Sequence, residues 1–241
     1  MKKNRWHTVE SHPELLVGQY VVPNFVSNSM ILKLSENECV IMSPGEPLLP
    51  AFQETYSQDV KLHIIFPNAF HHIGAQAWLE AFPNACLYAS ELAIEQLKEK
   101  GFAEHDILPL EQNQPPLPEH YDILFPPGHK AGDIWVRKQN PVDRHNVKTS
   151  SWITCDSFLN YDRVSNQPIA RFMQKLLGAA PGLKISQVVK WFILSNRQSF
   201  KTWVLDQLSQ DNPTTLIPSH GEVRQDPLLP ANIRKVINQR L

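Results

Sequence analysis

Apolar and amphipathic segments alternate through the first half of the chain, and this alternation predicts strands and helices in turn. The segments at 20–22, 24–34 and 39–42 are rich in apolar residues with high β propensity, and the segment at 62–66 reads Leu-His-Ile-Ile-Phe. Such runs, bounded by proline, glycine and polar turns, are typical of strands. We therefore predict a hairpin that leads into buried central strands.

The segment that follows has helical periodicity. Ala75, Trp78, Leu79 and Phe82 stand at positions i, i+3, i+4 and i+7, which gives one apolar face. A short strand is predicted at 85–89, and a helix is predicted from Glu91 to a stop at Gly101. Together these elements predict a strand–helix–strand unit of the βαβ type.

The second half of the chain begins with strands and becomes helical after about residue 164. Strands are predicted at 121–125, 133–136, 151–154 and 215–218. Apolar stripes at helical spacing predict three helix faces packed on a sheet, at 169–177, 185–193 and 200–208, and a final helix at about 227–241. We expect one domain over 1–241, with a core at about 20–221 and a helical insertion at about 164–210 that can cover a site.

Composition places few further constraints on function. A net charge of −1 gives no general attraction to nucleic acid or to an anionic membrane, so neither is expected as a partner. Three widely spaced cysteines form neither a disulfide framework nor a Cys-x-x-Cys clip, and each is expected to be a small buried residue. With no apolar leader and no run of membrane-spanning length, we expect a cytoplasmic protein.

Candidate chemistry lies where the predicted strands end. Four of them run into loops that carry histidine or aspartate: His71-His72, Gly128-His129, Cys155-Asp156 and Ser219-His220. Imidazole and carboxylate are the ligands that zinc, iron and manganese take in catalytic sites. The pattern predicts a metal site at one edge of the sheets.

The order and spacing of these elements resemble the metallo-β-lactamase fold superfamily. That family carries a His-x-His-x-Asp-His signature, then a Gly-His, an Asp after a strand, and a final His. The segment Phe66-Pro67-Asn68-Ala69-Phe70-His71-His72 looks more narrowly like the DUF4336 subgroup. The resemblance implies an α+β fold, an αββα four-layer sandwich, here with extra helices before the last strand.

The resemblance also implies a ligand set. His72 matches the last histidine of the signature, and His129, Asp156 and His220 match the later ligands, whereas His71 stands where the family has aspartate. Two departures are large: Pro67 and Ala69 occupy the places of the first two signature histidines, and Ser43 stands where many members keep an aspartate.

These departures predict one metal ion rather than two. The complete family site has two half-sites, which share the ligands of two metal ions. Here one half-site keeps only His129, whereas the other keeps His71, His72, Asp156 and His220 as a His₃Asp set. Two cations at about 3.5–4 Å need bridging anionic oxygens, and a single carboxylate offsets little of their repulsion. We expect one divalent cation, with zinc favoured over iron or manganese.

Two functions follow from this reading. The first is a hydrolase that acts on an unidentified small-molecule ester, amide, thioester or phosphoester, with Asp156 and His71 as catalytic residues. His71 can deprotonate water only if it does not itself bind the metal. The second is a catalytically inactive binding or scaffold protein that keeps the fold with a degenerate site. The sequence leaves the oligomeric state and the substrate open.

Overall fold

The computed structural model describes residues 3–10, 12–22, 25–142 and 147–241. The chain forms two compact units, Met1–Pro118 and Glu119–Leu241, and each is described by itself. Within the described ranges, no helix has both the length and the apolar character needed to traverse a bilayer.

The first unit is built on a seven-stranded sheet. Its strands are β1 (Trp6–Val9), β2 (His12–Val22), β3 (Phe25–Lys33), β4 (Glu38–Met42), β5 (Lys61–Phe66), β6 (Cys86–Ala89) and β7 (Ile107–Pro109). Its helices are α1 (Leu49–Gln53), α2 (Ala75–Ala81) and α3 (Glu91–Leu97), the last continued by a π-helical turn, Lys98–Phe102.

Connection length determines the direction of each strand in this sheet. Connections of only two to four residues join β1 to β4, and those strands pair antiparallel, whereas β4 to β7 pair parallel across crossovers that contain α1, α2 and α3. The interior positions of β4 and β5 are almost wholly apolar because helices and sheet bury them. The predicted βαβ unit is confirmed.

The second unit contains two smaller sheets. Its strands are β8 (Tyr121–Leu124), β9 (Trp135–Gln139), β10 (Ser150–Ile153), β11 (Leu159–Tyr161), β12 (Gly182–Lys184), β13 (Pro213–Ile217), β14 (His220–Gly221) and β15 (Arg224–Gln225). Its helices are α4 (Pro168–Leu176), α5 (Arg197–Gln210) and α6 (Leu229–Arg240), with a π-helical turn at Val189–Ile193.

One parallel pair lies at the centre of the larger sheet of this unit. The strand order is β15-β13-β10-β9-β8, in which β10 and β13 are parallel and their other neighbours antiparallel. The smaller sheet has the order β12-β11-β14. The core of this unit contains Trp135, Trp152 and Phe158, together with residues of α5, such as Phe200, and residues of α6.

Several strands were not predicted from the sequence. Strand β1, residues 12–19 of β2, and β7, β11, β12, β14 and β15 are all additional to the prediction. In β2, Pro13 and Gly18 interrupt the apolar pattern, and the others are four residues or fewer. Gly18 is required by packing, since a Cβ there would lie 2.7 Å from the Leu48 side chain.

The three predicted helix faces have different outcomes. The face at 200–208 is confirmed, because Phe200, Val204 and Leu208 of α5 are buried. The prediction for 185–193 is wrong in extent, since the helical residues there are 187–193. The prediction that the α4 stripe packs on a sheet is also wrong: Ile169, Phe172 and Leu176 are 72%, 64% and 63% exposed.

This difference predicts contrasting effects for two phenylalanines of the same unit. Phe200→Ala is expected to lower the free energy of unfolding by about 3–5 kcal/mol, because it opens a cavity in the core. Phe172→Ala is expected to change it by no more than about 0.5 kcal/mol, because that ring is exposed. Urea unfolding followed by circular dichroism measures both, and equal losses would contradict the burial of α5 and the exposure of α4.

Candidate metal centre

The parallel pair β10–β13 places Asp156 beside His220. Both strands end at the same edge, where the Thr154 N–H donates to the Ile217 carbonyl (3.1 Å) and the Ser219 N–H donates to the Cys155 carbonyl (3.0 Å). The two candidate ligands follow these strand ends, with 3.1 Å between His220 Nε2 and Asp156 Oδ1. The sequence predicted both residues, and the structure brings them together.

The backbone around this pair is fixed by unusual local geometry. Cys155 has a left-handed φ of 41°, which turns the chain sharply before Asp156. Gly221 has a φ of 98°, and a Cβ there would overlap the Asn160 carbonyl. Because β14 pairs parallel with β11, with His220 opposite Leu159, the chain has little freedom to move His220 away.

The donor geometry of the pair fits a divalent cation. Two ligands about 2.0–2.1 Å from a tetrahedral zinc ion lie about 3.3 Å from each other, close to the separation between Nε2 and Oδ1. The side chains of Asp156 and His220 are 13% and 19% exposed, so neither is completely enclosed. A carboxylate and an imidazole are also a suitable donor set for zinc or iron.

His129 lies in a different environment, deep inside the second unit. Its Nε2 lies 3.2 Å from Oδ2 of Asp133, and both side chains are almost wholly buried. Asp133 also accepts a hydrogen bond from Ser157 Oγ (3.0 Å), which in turn accepts from Trp135 Nε1 (2.9 Å). Burial lowers the pKa of His129 to about 4, against a smaller opposing effect of the Asp156 charge.

The loop that carries His129 is held by the segment before α5. The Lys130 N–H donates to the Ile193 carbonyl (3.0 Å), and the Ser195 N–H donates to the Gly128 carbonyl (2.8 Å). His129 and Leu194 also pair as an isolated antiparallel β-bridge. The His129 ring also meets the edge of Phe200 at 5.9 Å. These contacts hold the imidazole in its buried position, where desolvation favours the neutral form.

A second cluster of donors adjoins Asp156. Asp133, Cys155 and Asp156 each offer one ligand atom within 4.8 Å of the others. Burial raises the pKa of the Cys155 thiol well above its ordinary value, and the charges of both carboxylates add to this effect. Sequence reasoning missed Asp133 and treated Cys155 only as a buried residue, although Cys155 directly precedes Asp156.

In the first unit, an asparagine turn shapes the histidine loop after β5. Asn68 is fully buried, and its Oδ1 accepts hydrogen bonds from the backbone N–H groups of Phe70 (2.8 Å) and His71 (3.2 Å). This use of the carbonyl indicates a structural role for Asn68. His71 lies on this loop and is partly exposed.

His72 packs against its own unit. Its Nδ1 lies 3.0 Å from the Ala69 carbonyl, and its ring meets the edge of Phe102 at 6.0 Å. Burial first, and then the charge of Lys100, lowers the pKa of His72, so the neutral imidazole is favoured. A hydrogen bond from Nδ1–H to Ala69 leaves Nε2 as the nitrogen with a lone pair.

The same loop packs tightly against the end of β4. A Cβ on Gly74 would overlap the Pro44 carbonyl and the Glu46 nitrogen, so only glycine fits there. Trp78 Nε1 of α2 donates to the Gly45 carbonyl (3.1 Å). Ser43 is buried, with a left-handed φ of 54°.

Comparison with known proteins identifies the fold. No family model matches the chain, and no curated protein matches it by sequence. It is similar to a diflavin flavoprotein A 5 fragment from Nostoc sp. PCC 7120, with 15% identity, 98% of this chain and 97% of that chain covered, and a TM-score of 0.61.

Two further solved structures give the same result. The metal-soaked Flv1 flavodiiron core from Synechocystis sp. PCC6803 has 14% identity and a TM-score of 0.63, with 97% of this chain and 61% of that chain covered. The DIM-1 metallo-β-lactamase exposed to ceftazidime has 12% identity and a TM-score of 0.59, with 99% of each chain covered.

The chain therefore has the metallo-β-lactamase-like fold, of mixed α+β class, and the predicted fold is confirmed. Identities this low establish the fold alone. The DUF4336 resemblance, the single-domain boundaries and the set of metal ligands stay predictions.

The loop contacts of His129 predict that Gly128 tolerates no side chain. Gly128→Ala and Gly182→Ala each cost about 1–2 kcal/mol of unfolding free energy, because both glycines have left-handed φ values, 74° and 79°. Gly128→Ala should cost at least about 1 kcal/mol more, because its Cβ would lie 2.5 Å from the Asn196 carbonyl, whereas the space around Gly182 is open. Urea unfolding compares the two variants, and similar losses would show that the 128–196 contact does not form.

Proposed function

We propose that this protein is a metal-dependent hydrolase that binds one divalent cation through Asp156 and His220. The close approach of Asp156 Oδ1 to His220 Nε2 at a solvent-accessible strand end is the observation that carries the proposal. His71 and His72 are proposed as further ligands because they align with the family signature. Zinc is favoured, with iron as the main alternative.

The burial of the candidate ligands supports one cation rather than two. Asp156 and His220 are accessible from solvent, whereas His129 faces a buried carboxylate. At the positions of the missing signature histidines, Ala69 has no donor side chain, and its carbonyl accepts a hydrogen bond from Lys100 Nζ (2.7 Å). We propose that His129 and Asp133 form a buried pair that does not bind the cation but helps to hold the loops around Asp156 in place.

The proposed chemistry is hydrolysis of an ester, amide, thioester or phosphoester. A divalent cation at Asp156 and His220 would supply Lewis acidity and lower the pKa of a water molecule. Asp156 would hold the cation with its negative charge, and His220 would hold it with a neutral imidazole. In the alternative arrangement, in which His71 does not bind the cation, its imidazole is proposed to accept the proton of the attacking water.

A binding or scaffold protein with the same fold is the alternative. The observation that favours it is the structural use of the loop at 68–72, where Asn68, Ala69 and His72 all bond to their own unit. This alternative predicts no stoichiometric metal and no hydrolysis.

Metal analysis of protein purified without a tag or chelator tests the proposal. We expect about one equivalent of zinc, iron or manganese, and Asp156→Asn or His220→Gln should weaken binding by more than the ~10–100-fold that loss of an outer-shell partner costs. His120→Gln is the matched control, because this histidine of the same unit is exposed and matches no motif.

Hydrolysis of p-nitrophenyl esters, bis-p-nitrophenyl phosphate and a chromogenic β-lactam provides the activity measurement. Activity with at least one of these substrate classes should depend on the metal and disappear in Asp156→Asn while persisting in His120→Gln. If Asp156→Asn binds metal as tightly as His120→Gln, the proposed ligands are wrong. If the wild-type protein binds no metal even after reconstitution, the scaffold alternative is favoured.

A further inference from the structure

Helix α4 presents its apolar side to solvent. Its buried residues are Ala170 and Gln174, and Gln174 Oε1 accepts a hydrogen bond from the Ser165 N–H (2.6 Å). The large apolar side chains at 169, 172 and 176 project outward instead and are each more than 60% exposed. A short helix that buries small and polar positions while exposing isoleucine, phenylalanine and leucine lacks its apolar partner.

A second exposed apolar site lies on the π-helical turn that follows. Trp191 and Phe192 are 54% and 74% exposed. The guanidinium carbon of Arg197 lies 3.9 Å above the Trp191 ring, and Lys190 Nζ lies 5.2 Å from it. The Gln187 N–H donates to the Leu177 carbonyl (2.8 Å), which joins this segment to the end of α4.

The charge of this region has a single sign. Residues 163–205 contain seven lysines and arginines and no aspartate or glutamate, in a chain whose net charge is −1. Helix α6, whose Arg240 donates to the Gly178 carbonyl (3.4 Å), adds three basic residues and no acidic one. Arg171 and Lys175 alternate with the apolar residues of α4 and are exposed.

Exposed aliphatic and aromatic side chains among basic residues are the pattern of segments that lie in the interface of an anionic bilayer. We propose that α4 and the turn 189–193 form a docking surface for a membrane that contains anionic lipid. Ile169, Phe172 and Leu176 enter the headgroup–acyl boundary, and the lysines and arginines contact lipid phosphates.

Two other occupants are less compatible with these features. A second copy of this chain would bring two basic surfaces together, which costs electrostatic energy. Nucleic acid would satisfy the charge but would leave the aliphatic side chains of Ile169 and Leu176 without a partner. The expectation of no membrane partner rested on the net charge of the whole chain, and the local charge at 163–205 is different. This proposal is independent of the metal site.

Vesicle flotation with the full chain tests the docking surface. We expect the protein to float with phosphatidylcholine vesicles that contain phosphatidylglycerol and not with phosphatidylcholine alone, and to be released by high salt. Arg171→Gln/Lys175→Gln should weaken binding about 25-fold, or about fivefold for each charge, and Phe172→Gln should weaken it about tenfold. The emission of Trp191 should shift to the blue on binding, and Trp191→Phe should abolish the shift.

Exposed residues of the first unit provide the controls. Lys33→Gln and Leu92→Gln remove an exposed charge and an exposed leucine of similar accessibility, and both should bind like the wild type. Equal binding to both kinds of vesicle, no binding at all, or equal losses in the controls would overturn the proposal. Concentration-dependent dimers that Phe172→Gln dissociates would instead assign the surface to a second copy, and preferential binding of nucleic acid would also refute a lipid partner.

Discussion

The parallel pairing of β10 with β13 is the constraint on which the candidate site depends. Parallel strands bring their carboxyl ends to the same edge, so residues that follow each strand become neighbours although some sixty positions separate them in sequence. Here those residues are Asp156 and His220. The left-handed turn at Cys155 and the short β11–β14 pair hold the two side chains so that their donor atoms converge.

Burial separates the roles of two histidine–aspartate pairs in the same unit. His220 and Asp156 are partly exposed, whereas His129 and Asp133 are enclosed, and Asp133 accepts a hydrogen bond from Ser157. The neutral His129 imidazole lies beside the Asp133 carboxylate in the interior of the unit. An accessible pair with the same chemistry is suited to binding a cation.

The sequence predicts the features that depend on strong local patterns. The apolar runs at 62–66 and 151–154 and the helical spacing at 75–82 each correspond to observed elements, and the strand-end motif identified Asp156 and His220. The environments of Asp133 and Cys155 depend on how distant strands pair, which no local pattern encodes. Helix α4 shows a different shortcoming of local patterns. Its apolar periodicity correctly predicts a helix, but periodicity does not indicate whether the apolar face packs on the protein or faces outward.

X-ray absorption spectroscopy of the protein reconstituted with zinc tests whether one cation binds at Asp156 and His220. We expect a shell of nitrogen and oxygen ligands at about 2.0–2.2 Å, with imidazole scattering and no neighbouring metal. A sulfur ligand at about 2.3 Å would instead place the cation in the Asp133–Cys155–Asp156 cluster. A metal neighbour at about 3.5–4 Å would show that two cations bind, and either result would contradict a single cation held by Asp156 and His220.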